Sequence, residues 1–479
     1  MKKHINATFF VVILVCSLTI IYFTFFANHK EVALKSDFNI VLITIDALRA
    51  DHLSCYGYNR DTSPNIDKIA EKGIIFKNAI ATSSWTAPSM ASLFTSLYPI
   101  NHGVIHGMGY KKDETISTQE VFSDELITLS ELLKEHGYTT IGVASNLHLS
   151  KKFGFARSFD YFACLPFEPA HSVNEVIGLW ERTINKSDKY FLWVHYIDPH
   201  YPYSPKKPWV TQYISKESMS QITNLSDMSP WDLTVLHKKL KEDKGWLSKL
   251  KMTALEEKLL AHYDSEVNYV DSYIGELIQK FNLVKNTLII ITSDHGEEFF
   301  EYDFVGHGNN LHHETTRIPL IVKLPHSSVK EKVEKNVSLV DIMPTILHIL
   351  DIVPPEQSLG QPFLEKERIV GAGKKIVLRK RPSMYVYSEL DNWNTLRAVI
   401  TPKWKYIYDY KDNAEKLYDI TSDPMELNDL AEIETTQLRH MKERLFSWES
   451  HAKKYPTTKL SPKISLEEKE KLKELGYIQ

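Results

Sequence analysis

The sequence predicts an α/β protein: a mainly parallel central sheet flanked by helices, a smaller C-terminal α+β subdomain, and one N-terminal transmembrane helix. Three observations carry this expectation. Short β-branched apolar runs alternate with helical patterns up to about residue 365, the texture changes to short strands with tight connections from about residue 370, and an uncharged apolar run opens the chain. Alternating strands and helices bury a parallel sheet on both faces. The expected division is an anchor over residues 1–30, a main α/β domain over 38–365, and an antiparallel-sheet subdomain with closing helices over 370–479.

The elements follow in order. Ala7 to Ala27 carries no charge and is long enough to cross a hydrocarbon core of about 30 Å. Lys2 and Lys3 precede it, so the positive-inside rule places the N-terminus in the cytoplasm and the rest of a single-pass protein outside it. A cleaved signal peptide is the competing reading, but Phe25 and Phe26 stand where small residues should precede a cut. Asn39 to Ile45 reads as a strand buried on both faces, ending at Asp46. Pro64 to Ala70 reads as a helix with proline at its first position. Thr128 and Glu131 are spaced as a capping box for a helix to Glu135. Thr139 to Ala144, Tyr190 to His195, Thr287 to Thr292 and Leu320 to Lys323 are further buried strands, and Ala261 to Phe281 is a helix. Ser204 to Leu250 is polar and weakly patterned, as in a lid or substrate loop. Met384 to Ser388, Leu396 to Ile400, Trp404 to Tyr410 and Lys416 to Ile420 suit a small antiparallel sheet. Helices at Glu432 to His451 and Leu466 to Glu474 close the chain.

The totals narrow the function classes. With 479 residues, 43% hydrophobic and 25% charged, the chain is an ordinary globular protein. A formal charge of −4 lacks the concentrated basic surface that nucleic acid needs. Three cysteines without a C-x-x-C are too few for a disulfide framework. Cys55 and Cys164 read as two separate thiols, with one bridge between them as the alternative.

Ligands of open parallel sheets gather outside the carboxyl ends of the strands. Asp46 ends one apolar strand, and Asp294-His295 ends another. Either alone could be a turn or a helix cap. Together they offer two carboxylates and an imidazole for a divalent cation. Glu297, Glu298 and Glu301 read as a solvated charged stretch.

Ile45-Asp46-Ala47-Leu48-Arg49, Cys55-Tyr56-Gly57, Trp85-Thr86-Ala87-Pro88-Ser89, His195-Tyr196-Ile197-Asp198-Pro199-His200, Thr292-Ser293-Asp294-His295-Gly296-Glu297, Gly306-His307-Gly308 and Arg317-Ile318-Pro319 occur in this order. Over about residues 38–430 the chain resembles the sulfatase family of the alkaline phosphatase superfamily. The resemblance implies that fold and makes Asp46, Thr86, Asp294 and His295 ligands of one divalent metal ion, with Ca, Mn, Mg and Zn all open. It makes Thr86 the nucleophile, His200 and His307 catalytic, and Arg49, His195 and Arg317 substrate-binding. A second metal among His195, His312 and His313 has no clean spacing.

The family motif is Cys (or Ser)-x-Pro-x-Arg, whose first residue is oxidised to formylglycine. Thr86 and Met90 stand at its two ends here, and Ala47 stands where a second aspartate is usual. A threonine cannot become that aldehyde, so no formylglycine is expected. Metal coordination would activate a plain hydroxyl instead. The implied function is a membrane-anchored hydrolase of sulfate or phosphate esters, tilted towards phosphorus. Its partners would be a sulfated or phosphorylated small molecule, glycan or lipid. A phospho-headgroup transferase and a non-catalytic binding protein on a sulfatase scaffold stay as alternatives.

Overall fold

The computed structural model describes residues 38–460 other than 107–118, 122, 205–206, 215–224, 226–227, 244, 370–372, 379–383 and 393, together with Ser465. Eight strands form the central sheet: β1 (Asn39–Ile45), β2 (Ile74–Ile80), β3 (Thr139–Ala144), β4 (Tyr161–Cys164), β5 (Tyr190–Tyr196), β6 (Thr287–Ser293), β7 (Arg317–Lys323) and β8 (Glu331–Ser338). Their order across the sheet is β8-β2-β7-β6-β1-β5-β3-β4. Every neighbouring pair is parallel except β7 with β2 and with β6. The sheet is therefore mixed and mainly parallel, with β7 its one reversed strand. β1, β5 and β6 are buried along nearly their whole length, which is why each reads as an unbroken apolar run.

Both faces are covered. On one, Leu42, Phe191, Trp193, Leu288 and Ile290 pack with helix α2 (Thr86–Thr95) and, later in the chain, Ile342 to Ile349. On the other, Val41, Ile43, Leu192 and Ile289 meet α1 (Pro64–Ala70) and a 35-residue helix at Trp246–Lys280. The helix α3 (Leu129–Glu135) carries the expected capping box, with both reciprocal bonds made between Thr128 and Glu131. A four-stranded antiparallel sheet, Val386–Asp391, Thr395–Ile400, Trp404–Asp409 and Ala414–Asp419, follows in meander order. Helix Thr435–Ser450 packs Met441 and Leu445 on it, and Tyr98 and Val340 join the same cluster.

Two expectations change. No helix among the described residues is long and apolar enough to cross a membrane, so the single-pass membrane placement and the membrane partner are withdrawn. The longest helix, Trp246–Lys280, carries lysines and glutamates throughout. The apolar run from Ala7 to Ala27 and the expected helix from Leu466 to Glu474 lie outside the described residues. The Ser204 to Leu250 stretch is more regular than its pattern, holding helix Pro230–Glu242 with a Ser229–Asp232 capping box and the start of the long helix. Cys55 and Cys164 are separate free thiols, as the sequence reading has them.

One buried ion pair ties the smaller sheet to the loop before β7. Lys405 Nζ lies 2.7 Å from Glu426 Oε1, and His312 Nδ1 lies 2.9 Å from Oε2. Burial opposes the Glu426 charge, but Lys405 and then His312 hold its carboxyl down to about 2. A depressed folded value stabilises above the ordinary carboxylate range and is lost as pH falls through about 2. That component is about 3 kcal/mol. Urea unfolding of Glu426→Gln at neutral pH will show at least this loss, because Lys405 is left buried without its counter-charge. The variant will also lack the acid-limb slope that the parent shows between pH 4.5 and 2.

Candidate active site

The expected residues converge at the carboxyl ends of β1, β5, β6 and β3, where the N-terminus of α2 meets them. Asp46 follows β1 directly, and Asp294 and His295 follow β6. These two strands are paired residue for residue up to Ile45 and Ser293, so their next residues emerge side by side. Ligand atoms of Asp46, Asp294 and His295 all lie within 4.8 Å of one another, and all three residues are buried. Ala47 turns the chain here with φ of 54°, a left-handed conformation unusual for a residue with a Cβ. Its amide donates to Asp294 Oδ1 at 3.2 Å, and its carbonyl accepts from Tyr263 Oη at 2.8 Å. The Ala47 amide thus ties the turn after Asp46 to the second carboxylate.

Thr86 is the first residue of α2, and Trp85 before it supplies no side-chain cap. The first amides of a helix are unpaired within it and carry the positive end of its dipole, so anionic oxygen is favoured at this point. Thr86 Oγ1 lies 3.5 Å from both carboxylate oxygens of Asp46 and 3.3 Å from His295 Nε2. Met90, one turn on, is fully buried in the apolar cluster with Ala91, Leu93 and Phe94.

The electrostatics follow from two carboxylates sharing a dry pocket. Burial opposes the Asp46 charge, yet His200 and hydrogen bonds from His195 and His295 hold its carboxyl well below the usual range. Burial and then the Asp46 charge push Asp294 up. Burial opposes the His295 charge, but Asp294 and Asp46 raise the imidazole to about 9. Asp294 Oδ2 is buried and accepts no hydrogen bond. An orphaned carboxylate oxygen beside a second carboxylate, an imidazole and a hydroxyl fits a divalent cation. Among the described residues no other group of three such side chains has this spacing.

The remaining candidates divide. His195 lies against Asp46, its Nε2 3.3 Å from Oδ2, with Nδ1 2.9 Å from Thr44 Oγ1. His200 and His307 stack edge to face at 4.8 Å, and His307 lies 4.2 Å from the His295 ring. Burial lowers both His200 and His307. Arg49 is buried and paired to Asp51 and Glu301, at 2.8 and 2.5 Å. Arg317 turns its Nε to the Lys77 carbonyl at 3.0 Å. These two arginines are engaged by protein groups. His312 is held by Glu426, and His102 bridges Ser92 Oγ and the Val104 amide within the core.

One residue that the sequence reading left out joins the site. Asn146 Nδ2 donates to Asp46 Oδ2 at 2.7 Å and reaches Thr86 Oγ1 at 3.5 Å. Its signal was present: a polar residue just past the apolar strand β3, as Asp46 is past β1. Glu297 and Glu298 are fully buried, which corrects the solvated stretch expected there.

The sulfatase family model matches residues 38–352. The chain belongs to the sulfatase family. A model of the C-terminal part of N-sulphoglucosamine sulphohydrolase also matches residues 302–451. N-acetylgalactosamine-6-O-sulfatase of Bacteroides thetaiotaomicron is 24% identical, covering 85% of this chain and 92% of its own. Arylsulfatase of Clostridium perfringens is 23% identical, covering 82% and 90%. The crystal structure of phosphonate monoester hydrolase of Agrobacterium radiobacter shares the fold with a TM-score of 0.65 at 19% identity, over 86% of this chain and 95% of that one. This protein is accordingly a sulfatase-like hydrolase of the alkaline phosphatase superfamily, a metal-dependent family to which the Asp46, Asp294 and His295 triad is suited.

Proposed function

We propose that this sulfatase-family protein hydrolyses phosphorus esters with Thr86 as its nucleophile. The observation that carries the reading is Thr86 itself: a hydroxyl at the head of α2, within 3.5 Å of Asp46 and 3.3 Å of His295. A formylglycine hydrate expels sulfate by collapsing to the aldehyde, whereas a threonine sulfate has no such exit and must be cleaved at sulfur. A threonine phosphate is opened more readily by water attacking phosphorus.

Asp46, Asp294, His295 and Thr86 would hold the metal, which when bound supplies charge to activate the hydroxyl and neutralise the ester's oxygens. The chain's own residues do the rest. Thr86 Oγ1, its proton given up to solvent, attacks phosphorus in line, and the bond to the leaving oxygen breaks with its electron pair on that oxygen. Protonated His200 or His307 gives that oxygen the proton it needs. Water then attacks the Thr86 ester from the side opposite Oγ1, returns a proton to that histidine and releases the Thr86 oxygen. Asn146 holds Asp46 against rotation through its 2.7 Å bond. The helix N-terminus favours the anionic group throughout.

Sulfate esters of glycans are the second reading, favoured by the named activity of the Bacteroides relative. A panel of aryl phosphate monoesters, phosphodiesters, phosphonate monoesters and sulfates, read with peptide mass spectrometry of Thr86, separates the two. The expected result is preferred turnover of a phosphorus ester and a Thr86 peptide modified from that substrate. Preferred turnover of sulfates would overturn the preference for phosphorus. Turnover with no adduct under rapid quench would overturn covalent catalysis, and turnover only with an added alcohol acceptor would make the protein a transferase.

A further inference from the structure

We propose that the cavity between the His307 loop and the smaller sheet is a subsite for a neutral or amine-bearing polyol, the alcohol part of the ester. The inference rests on the hydrolase reading above and names the class of its leaving group. The cavity measures about 320 Å³, at the small end of ligand sites and of the size of one sugar ring.

Its place follows from the chain around His307. Asn309, in the cavity wall, comes two residues after His307, so at most about 7 Å separates the two along the backbone. The Gly308 amide between them donates to the Ser84 carbonyl at 2.9 Å, two residues before Thr86. A Cβ on Gly308 would stand 3.4 Å from the Asn392 side-chain nitrogen and 3.8 Å from Trp85 Cβ. The turn after strand Val386–Asp391 thus reaches the same loop. Asn394 ties it there, its Nδ2 donating to the Asn309 carbonyl at 2.9 Å. A carbonyl only accepts, so this bond fixes the Asn394 amide and leaves its Oδ1 as an acceptor.

The smaller sheet supplies the rest of the lining by its register. Asp409 pairs with Leu396 on one side and with Ala414 on the other, and Ile407 pairs with Lys416. Side chains alternate between faces along a strand, so these five share one face. Leu396 and Ile407 are buried and form an apolar floor. Above it, one Asp409 oxygen accepts the amides of Lys411 and Asp412, at 2.8 and 3.2 Å, and the other is left to the cavity. Asp412 and Lys416, also in the wall, are exposed.

This set of groups selects a ligand. Amide N–H and ammonium groups donate, and carboxylate and amide oxygens accept. A hydroxyl does both, so neighbouring ring hydroxyls satisfy a mixed rim while the C–H face of the ring rests on Leu396 and Ile407. Two carboxylates, Asp409 and Asp412, stand against the one ammonium of Lys416. That balance accepts a neutral or ammonium-bearing ring and repels a second anionic group. The anionic ester itself goes to the head of α2, where the charge is of the other sign.

The test uses the full chain and the variants Asn309→Ala and Asp412→Lys, both checked by circular dichroism for parent-like folding. Glucose 1-phosphate, glucosamine 1-phosphate and glucuronic acid 1-phosphate differ in charge at the ring, and 4-nitrophenyl phosphate lacks the hydroxyls. Parent kcat/KM should be about 10-fold or more higher for the first two sugars than for the glucuronic ester, and Asp412→Lys should remove most of that gap. Asn309→Ala should lower the ratio of glucose 1-phosphate to 4-nitrophenyl phosphate turnover by about 5-fold, the scale of one hydrogen bond. Saturation-transfer NMR with free glucose, glucosamine and glucuronate reads the subsite without turnover. The parent should show transfer to the first two sugars, and Asp412→Lys should gain transfer to glucuronate. Transfer to none of the three, equal transfer to glucuronate in the parent, or ratios that move in neither variant would overturn the proposal. If the parent hydrolyses none of the four esters, the phosphorus-ester reading fails, while the NMR measurement still decides the subsite.

Discussion

Replacing Thr86 with alanine is expected to lower kcat by about 10⁴-fold or more, the scale seen when a covalent nucleophile is removed. Thr86→Ser should keep most of the activity, because the attacking atom and its place on α2 survive. The pair matters because alanine alone could act through folding. Thr86 is fully buried at the start of a buried helix, and a lost methyl and hydroxyl could disturb it. Circular dichroism and the urea midpoint of Thr86→Ala should match the parent within about 1 kcal/mol. An alanine variant that folds, binds metal and still turns over within about 10-fold would remove Thr86 from the chemistry.

The second large effect concerns Asp294. Asp294→Asn should lower divalent-metal affinity by about 100-fold in titration calorimetry, since one anionic ligand of the set is neutralised, and activity should fall with it. The metal-free protein should respond in the opposite sense. Its Asp294 carboxyl is pushed up by burial and by the Asp46 charge. A raised carboxylate costs stability once pH rises above its unfolded value, so metal-free parent protein should gain stability as pH falls towards 4. Asp294→Asn should lack that slope and be more stable at pH 7 by about 1 kcal/mol. Addition of manganese or magnesium should stabilise the parent and leave the variant largely unmoved. A variant that binds metal as tightly as the parent would remove Asp294 from the ligand set.

The parts of this molecule that were legible in its sequence are those written in runs of one kind. β1, β3, β5 and β6 are covered on both faces, so each spells out continuous apolar residues that end on a polar one. Asp46, Asp294 and His295 were found at those ends. Strands whose faces differ were silent. β8 alternates exposed and buried positions at the sheet edge, and its Glu331-Lys332-Val333-Glu334-Lys335 reads as a solvated stretch. The direction of β7 was also hidden, because a buried strand has the same composition whichever way it runs.

Burial of charge was the other blind spot. Glu297 and Glu298 sit in a run of acidic and aromatic residues that looks wet. They are buried because His307, Asn310 and the amides of Tyr302 and Phe304 fold back on them and Tyr203 reaches in from farther off. Arg49 misled for the complementary reason. Its place in the motif suggested an anion, while its partners are Asp51, close by in the chain, and Glu301, brought from a distant part of it.

The buried place of Met90 has an evolutionary consequence. A return to aldehyde chemistry needs a cysteine or serine at 86 and an arginine at 90. The first change alone leaves an unconverted thiol or hydroxyl. The second alone forces a guanidinium among Ala87, Ala91, Leu93 and Phe94, at a cost of several kcal/mol unless a counter-charge arrives with it. On the proposed reading, neither change is favourable by itself. On the proposed Thr86 reading, the packing around Met90 resists an arginine at that position, and the substrates to test are esters that a plain hydroxyl can open.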